Sequence, residues 1–243
     1  MSDSMETRKI LDLLDLTLLD SGASEGDLAE VCELANLHRT AAVCVFPKHA
    51  GFVKERLTSG VPMALVAGGF PQGSDSPEEI FDAVKEAVSK GADEIDCVLE
   101  PNDSTSFPSK SELAKLIAMR EASRGLVLKV ILEAPLLDNR QLRAVTRMAL
   151  ATGADFVKSC TGKRGGCSDK AATILAEEVS RHCLSFDGKP GVKVSGGISK
   201  REDAERLIAL VEERFGSILG RDRMRIGASS LLRDLLDGGL GRN

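Results

Sequence analysis

Residues 153–163 read GADFVKSCTGK, and residues 90–96 read KGADEID. In both phrases an amphipathic stretch ends at a glycine, and Ala-Asp then leads into a short apolar run. A glycine at that point tolerates the left-handed conformation in which helices commonly stop. Each phrase is therefore a helix-to-strand joint, and the chain uses it twice. Working outward, short apolar runs predict strands at residues 11–15, 41–46, 64–67, 94–99, 126–132, 155–159, 192–195 and 224–228. Between them, helical spacing covers residues 25–37, 49–58, 78–90, 110–123, 139–151, 168–182 and 201–215. Ile80, Phe81, Val84, Ala87 and Val88 share one helical face, as do Leu142, Val145, Met148 and Ala149. Ser76-Pro77 followed by Glu78 and Glu79 suits a helix start, where free N–H groups favour negative charge.

Strands alternating with helices, with no linker-like run between them, predict a parallel sheet covered by helices. At 243 residues the natural closure is one domain spanning 1–243, an α/β (β/α)₈ TIM barrel. An open doubly wound sheet is the alternative, but no strand is followed by the Gly-x-Gly-x-x-Gly turn that takes a dinucleotide.

Composition narrows the function. The chain has 42% hydrophobic and 28% charged residues, as an ordinary globular protein does. Aromatic content is 3% with neither Trp nor Tyr, and the net charge is −5. Stacking platforms and basic patches for nucleic acid are therefore not expected. No run approaches the roughly 18 apolar residues of a membrane span, and residues 1–9 lack the apolar core of an export signal. Cys32, Cys44, Cys97, Cys160, Cys167 and Cys183 are scattered, as reduced cytoplasmic thiols would be. His38, His49 and His182 share no metal-ligand spacing with them, so neither metal nor cofactor is expected.

Parallel strands buried on both faces should read as nearly continuous Val, Ile and Leu. Here DEIDCVL places Glu94, Asp96 and Val98 on one face, and LVLKVILE places Lys129, Ile131 and Glu133 together. ADFVKSC sets Phe156, Lys158 and Cys160 on one side, and GVKVSGG aligns Lys193 with Ser195. If the apolar partners face the helices, Asp96, Lys129, Glu133, Lys158 and Lys193 converge on the barrel interior. A lone interior charge costs several kcal/mol, so these groups must pair, meet solvent or do chemistry. Lys129 with Glu133 reads as a structural ion pair. Lys158 and Lys193 stand at the ends of their strands, at the mouth where barrel enzymes keep their catalytic groups.

An ordinary lysine is protonated at pH 7 and cannot attack a carbonyl. A second ammonium about 4 Å away opposes that charge by up to about 4 kcal/mol at an effective dielectric of 20. The expectation is a lowered pKa and a neutral amine able to form a Schiff base, with Asp96 moving protons through a water. The loops Thr161-Gly162-Lys163, SGGIS (residues 195–199) and GASS (residues 227–230) follow the sixth, seventh and eighth strands. Glycine turns opening helices after strands seven and eight are where this architecture binds phosphate. Tight turns would leave the same glycine pattern.

At these residues the chain resembles the deoxyribose-phosphate aldolases. The resemblance runs through DLTLL (15–19), VCVFP (43–47), GFPQG (69–73), GADEID (91–96), LKVILE (128–133), GADFVKSCTGK (153–163), VKVSGG (192–197) and GASSLL (227–232). It implies that Lys158 is the Schiff-base lysine, Lys193 the neighbour that lowers its pKa and Asp96 the proton relay. It further implies Asp15 and Thr17 near a substrate hydroxyl and Cys44 in the pocket. Thr161, Gly162, Lys163, Gly196, Gly197, Gly227, Ser229 and Ser230 would bind substrate, mostly at its phosphate. Members cleave 2-deoxy-D-ribose 5-phosphate reversibly to acetaldehyde and D-glyceraldehyde 3-phosphate, and often self-associate, so the implied partners are a sugar phosphate, aldehydes and further copies of the chain.

The chain departs from the family pattern in three places. Many relatives read Lys-Thr-Ser-Thr-Gly where Lys158-Ser159-Cys160-Thr161-Gly162 stands, some place a basic residue at Ser199, and some close the site with a C-terminal tyrosine. Here the tail DGGLGRN offers Arg242 as its charge. These departures favour, as alternatives, a Schiff-base lyase with another acceptor or an unphosphorylated sugar. A catalytically silent sugar-phosphate sensor would carry buried charges without using them.

Overall fold

Among the described residues eight strands alternate with helices, and their pairing closes on itself. The computed structural model describes residues 2–58, 60–102, 106–216 and 220–240. The strands are β1 (Leu14–Leu18), β2 (Ala42–Val45), β3 (Met63–Ala67), β4 (Glu94–Val98), β5 (Val127–Ile131), β6 (Phe156–Lys158), β7 (Gly191–Ser195) and β8 (Met224–Ala228). All neighbours are parallel, and β1 pairs with both β2 and β8, so the sheet is a closed (β/α)₈ barrel. The helices are α1 (Ser2–Leu13), α2 (Glu25–His38), α3 (Ala50–Lys54), α4 (Pro77–Ser89), α5 (Lys110–Ala122), α6 (Asn139–Ala151), α7 (Asp169–Ser185), α8 (Arg201–Phe215) and α9 (Leu231–Leu240).

Local chemistry sets these limits. Ser24, Ser109 and Asp138 form capping boxes at the starts of α2, α5 and α6, and Ser76 and Ser168 cap α4 and α7. Each such cap satisfies a backbone donor that would otherwise be unpaired. Gly91 and Gly153, the joints of the two repeated phrases, have φ of 85° and 91°. Leu, Ile, Val and Ala on the outer strand faces pack against the helices in one continuous core.

Two sequence expectations are corrected. The strand expected at 11–15 lies at Leu14–Leu18, because α1 runs through Leu13. Ile10, Leu11, Leu13 and Leu14 are all buried, and an apolar run crossing a helix–strand junction carries no periodicity that marks the boundary. The helix expected at 49–58 is a 3₁₀ turn, Pro47–His49, followed by the short α3. Among the described residues, no helix is long and apolar enough to cross a membrane.

Candidate active site

Barrel closure turns the strand alternation into a cluster of buried charge. Asp15 (β1), Glu94 and Asp96 (β4), Lys129 (β5), Lys158 (β6), Lys193 (β7) and Arg225 (β8) all point inward and are at most 4% exposed. Asp96 is the hub. Its Oδ2 accepts from Lys158 Nζ at 2.8 Å and from Lys193 Nζ at 2.7 Å, and Lys129 Nζ stands 3.0 Å from Oδ1. Asp15 Oδ2 accepts from Lys193 at 2.5 Å and Lys129 at 2.9 Å, while its Oδ1 accepts from Arg225 at 2.7 Å. Beneath them Arg225 grips both oxygens of Glu94, at 2.8 and 3.1 Å, and Lys129 lies 2.5 Å from Glu94.

Lys129 therefore does not pair with Glu133 as expected. Four residues along a strand span about 13 Å, too far for direct contact, and closure supplies Lys129 with partners from β1 and β4 instead. Glu133 lies past the end of β5, where its Oε1 accepts from Thr161 N at 2.5 Å and its Oε2 lies 3.4 Å from Arg164. Glu94 and Arg225 were not singled out in the sequence as site residues. Arg225 was legible, because MRIGA alternates Met224 and Ile226 outward with Arg225 and Gly227 inward.

Four cations, Lys129, Lys158, Lys193 and Arg225, meet three carboxylates, Asp15, Glu94 and Asp96. Fully ionised, the cluster carries one excess positive charge, and one lysine losing its proton would make it neutral. Burial raises the carboxyls of Asp15 and Asp96, but the surrounding cations outweigh it and hold both well below the usual carboxylate range. Burial likewise pushes Lys158 down, yet the attraction of Asp96 prevails and its ammonium is held above the ordinary lysine value. The expected lowering is therefore reversed in the resting arrangement, because a carboxylate oxygen lies between the two ammonium groups.

Above the cluster, at the C-terminal mouth, opens a cavity of about 410 Å³. Lys158 is the cluster member that lines it. Thr17, Thr161, Gly162, Lys163, Gly196, Gly197, Gly227, Ser229 and Ser230 line it as well, with Ser195 and Ser199 of the SGGIS loop, joined by Leu19 and by Asp20, which the sequence did not single out. Lys193 and Asp96, both fully buried, do not line it. Asp15 and Cys44 are fully buried beneath the cavity rather than on its wall, with Cys44 Sγ 4.0 Å from Asp96 Oδ2. Burial, and then the Asp96 charge, push the Cys44 thiol up to about 11. Arg242 lies outside the described residues.

The loop backbones explain the open space. Gly196 has φ of 87°, and a Cβ there would stand 2.7 Å from Cys160 Sγ and 3.0 Å from Gly162 Cα. Only glycine lets the β6 and β7 loops approach this closely. Cys160 fits beneath, donating to Ser195 O at 2.9 Å. Ser229 and Ser230 immediately precede α9, a helix start where unpaired N–H groups favour an anion. Lys163 supplies an ammonium and reaches Leu19 O at 3.2 Å. The arrangement offers a lysine nitrogen at the floor of a cavity and an anion-accepting rim at its side. Among the described residues, no group of three or more His, Cys, Asp or Glu side chains could hold a metal ion.

A family model described as DeoC/LacD family aldolase matches residues 10–234. Among solved structures, the deoxyribose phosphate aldolase of Aeropyrum pernix, described as a tetramer, is 27% identical, with a TM-score of 0.77 over 96% of this chain and 92% of that one. An aldolase called QR15 is 25% identical, with a TM-score of 0.79 over 95% and 97%. A Toxoplasma gondii ME49 protein, provisionally assigned as a deoxyribose-phosphate aldolase, has the same fold, with a TM-score of 0.88 at 19% identity over 97% and 94%.

Proposed function

Because this chain belongs to the DeoC/LacD family of aldolases, we propose that it is a class I aldolase cleaving 2-deoxy-D-ribose 5-phosphate reversibly to D-glyceraldehyde 3-phosphate and acetaldehyde. The observation that carries this reading is the position of Lys158. Among the described residues it alone of the buried charges lines the cavity, and it shares Asp96 Oδ2 with a second ammonium. A nucleophilic lysine needs its neutral form, so Lys158, whose ammonium Asp96 holds above the ordinary value, must give up a proton before it attacks.

The neutral Lys158 Nζ attacks C1 of the open-chain sugar and gives a carbinolamine. Loss of water leaves an iminium ion. A base then takes the proton of the C3 hydroxyl, the C2–C3 bond breaks, and its electron pair moves into the iminium as an enamine. Glyceraldehyde 3-phosphate departs, C2 of the enamine is protonated, and hydrolysis frees acetaldehyde and the amine. Asp96 suits the relay because its carboxylate stays ionised and touches Nζ, so it hands protons on through a water rather than storing them. Lys193 and Lys129 hold that carboxylate and balance its charge. Lys163, the glycine backbones and the start of α9 suit the 5-phosphate, while Thr17 stands where a sugar hydroxyl would reach.

The departure at Ser199 and the acidic Asp20 on the cavity wall support a second reading, a lyase with the same imine chemistry on an unphosphorylated sugar or another acceptor. Borohydride reduction in the presence of deoxyribose 5-phosphate or acetaldehyde, followed by peptide mass spectrometry, tests the common core. A reduced two-carbon adduct on Lys158 is expected, and its absence in folded protein that binds the sugar phosphate would leave a binding protein. Retro-aldol rates on deoxyribose 5-phosphate and deoxyribose then separate the two lyase readings. Self-association, as in the A. pernix relative, is read from sedimentation.

A further inference from the structure

Lys163 and Arg164 are neighbours in the chain, yet only Lys163 lines the cavity. Arg164 serves the opposite side of the same loop. Its two terminal nitrogens fork onto both oxygens of Glu100, each at 2.7 Å, in the loop after β4. One of them also donates to Pro71 O, at 3.3 Å, in the loop after β3. Its Nε stands 3.4 Å from Glu133 Oε2, past the end of β5. One guanidinium thus joins the mouth loops of four consecutive strands, a task suited to a planar fork of donors and poorly to a lysine.

Glu133 carries the connection to the cavity rim. It is fully buried and sits in the left-handed region, with φ of 48°, a conformation that costs a non-glycine residue energy and persists only where its surroundings enforce it. Its Oε1 accepts from Thr161 N, and Thr161 Oγ1 in turn accepts from Lys163 N at 3.2 Å. The chain of contacts runs from Glu100 through Arg164 and Glu133 to the backbone of residues 161–163. On the far side Gly73 packs against Glu100, where a Cβ would fall 2.6 Å from that residue's own Cβ. The turn containing Gly73 therefore backs the carboxylate that Arg164 holds.

We propose that Arg164 is a positioning residue for anion recognition. Through Glu133 it fixes the Thr161–Lys163 loop in the shape that receives the substrate phosphate. The assignment rests on the aldolase reading for its kinetic consequence but not for its binding consequence. It makes Arg164 important for phosphorylated substrates and unimportant for the same sugar without phosphate.

The test compares the parent with Arg164→Met and Glu100→Gln, the latter milder and retained in case the former does not fold. Kinetics on deoxyribose 5-phosphate should show KM raised about tenfold with kcat within about twofold. On deoxyribose, kcat/KM should move less than about twofold. Arg164→Lys should recover little, because an ammonium cannot fork. Equal losses on both sugars, or none on either, would overturn the proposal. If the parent cleaves neither sugar, the aldolase reading has failed, and calorimetric binding of inorganic phosphate still decides. Affinity weakened about tenfold in the variants supports the role, and unchanged affinity removes it.

Discussion

Replacing Lys193 by Met removes one ammonium from the buried cluster and keeps most of the side-chain volume. Lys193 Nζ touches Asp15 Oδ2 at 2.5 Å and Asp96 Oδ2 at 2.7 Å, and Lys158 occupies the same Asp96 oxygen at 2.8 Å. Two ammonium groups sharing one oxygen stand about 4–5 Å apart and repel by about 3–4 kcal/mol at an effective dielectric of 20, worth about two to three pKa units. With Lys193 gone, three cations face three carboxylates, and the protonated Lys158 becomes the charge-balanced form. The pKa of Lys158 therefore rises further, and the acidic limb of kcat/KM moves to higher pH. Below the limb the variant should run parallel to its parent and about 100-fold lower at equal pH, closing the gap about two units higher. No carboxylate is stranded, because Asp15 keeps Lys129 and Arg225 and Asp96 keeps Lys129 and Lys158. The fold should then survive with less than the roughly 3–5 kcal/mol that orphaning a buried charge costs. The assay is retro-aldol cleavage across pH, with a denaturant midpoint as control. A deficit that stays constant as pH rises would assign Lys193 to geometry and refute the charge argument.

Three further outcomes are expected. Gly196→Ala forces a Cβ toward Cys160 Sγ and Gly162 Cα at positive φ, so phosphate affinity should fall at least about tenfold; calorimetry with inorganic phosphate checks it, and unchanged binding would detach Gly196 from the anion rim. Cys44, fully buried with its thiol pushed up to about 11, should resist iodoacetamide at pH 8 in the native protein and react on unfolding, as peptide mass spectrometry would read; rapid native labelling would contradict its burial. On α7, Glu178 accepts from Arg143, Arg147 and Arg181, and despite its burial these lower it to about 2. Its folded pKa is depressed, so its contribution is complete above the ordinary value near 4.5 and is lost as pH falls toward 2. With Arg147 and Arg181 more than half exposed, Glu178→Gln should cost only about 1–2 kcal/mol at pH 7. The difference from the parent should vanish near pH 2, and denaturant midpoints at both pH values would expose a pH-independent loss.

The barrel was legible because strand and helix patterns alternate and the Gly-Ala-Asp joints repeat. The inward faces of β4 to β7 were legible because alternation of two is strict in a strand. From that rule alone Asp96, Lys129, Glu133, Lys158 and Lys193 are assigned to one interior, of which Glu133 lies past the end of β5 instead. Their partners could not be assigned, since pairing depends on which strands closure brings together and at what stagger. Lys129 shows the consequence. Along its own strand the nearest carboxylate is Glu133, yet its contacts come from Asp15 on β1 and from β4. The sign of the Lys158 shift failed for the same reason. Two lysines at neighbouring strand ends predict repulsion, and the Asp96 oxygen between them is a fact of three dimensions. Arg164 carried no local signal, because its partners lie in loops that no periodicity orders.

The cluster divides by depth, and the division sets one lysine of three apart. At the bottom Arg225 and Glu94 form a forked pair, and burial's downward pull on the guanidinium is outweighed by Asp15 and Glu94, so it stays charged. In the middle Lys129 has carboxylate oxygens from Asp15, Glu94 and Asp96 around one ammonium, and their attraction overcomes burial to raise it well above the ordinary value. Lys193 holds two carboxylates and does not line the cavity. Lys158 holds one carboxylate and meets the cavity. Losing the proton there breaks the fewest ion pairs, leaves the remaining cations and carboxylates equal in number, and exposes the nitrogen where a carbonyl can arrive. The buried charges that would burden an inert barrel thus leave Lys158 as the cluster ammonium with the fewest carboxylate partners and the one that meets the cavity.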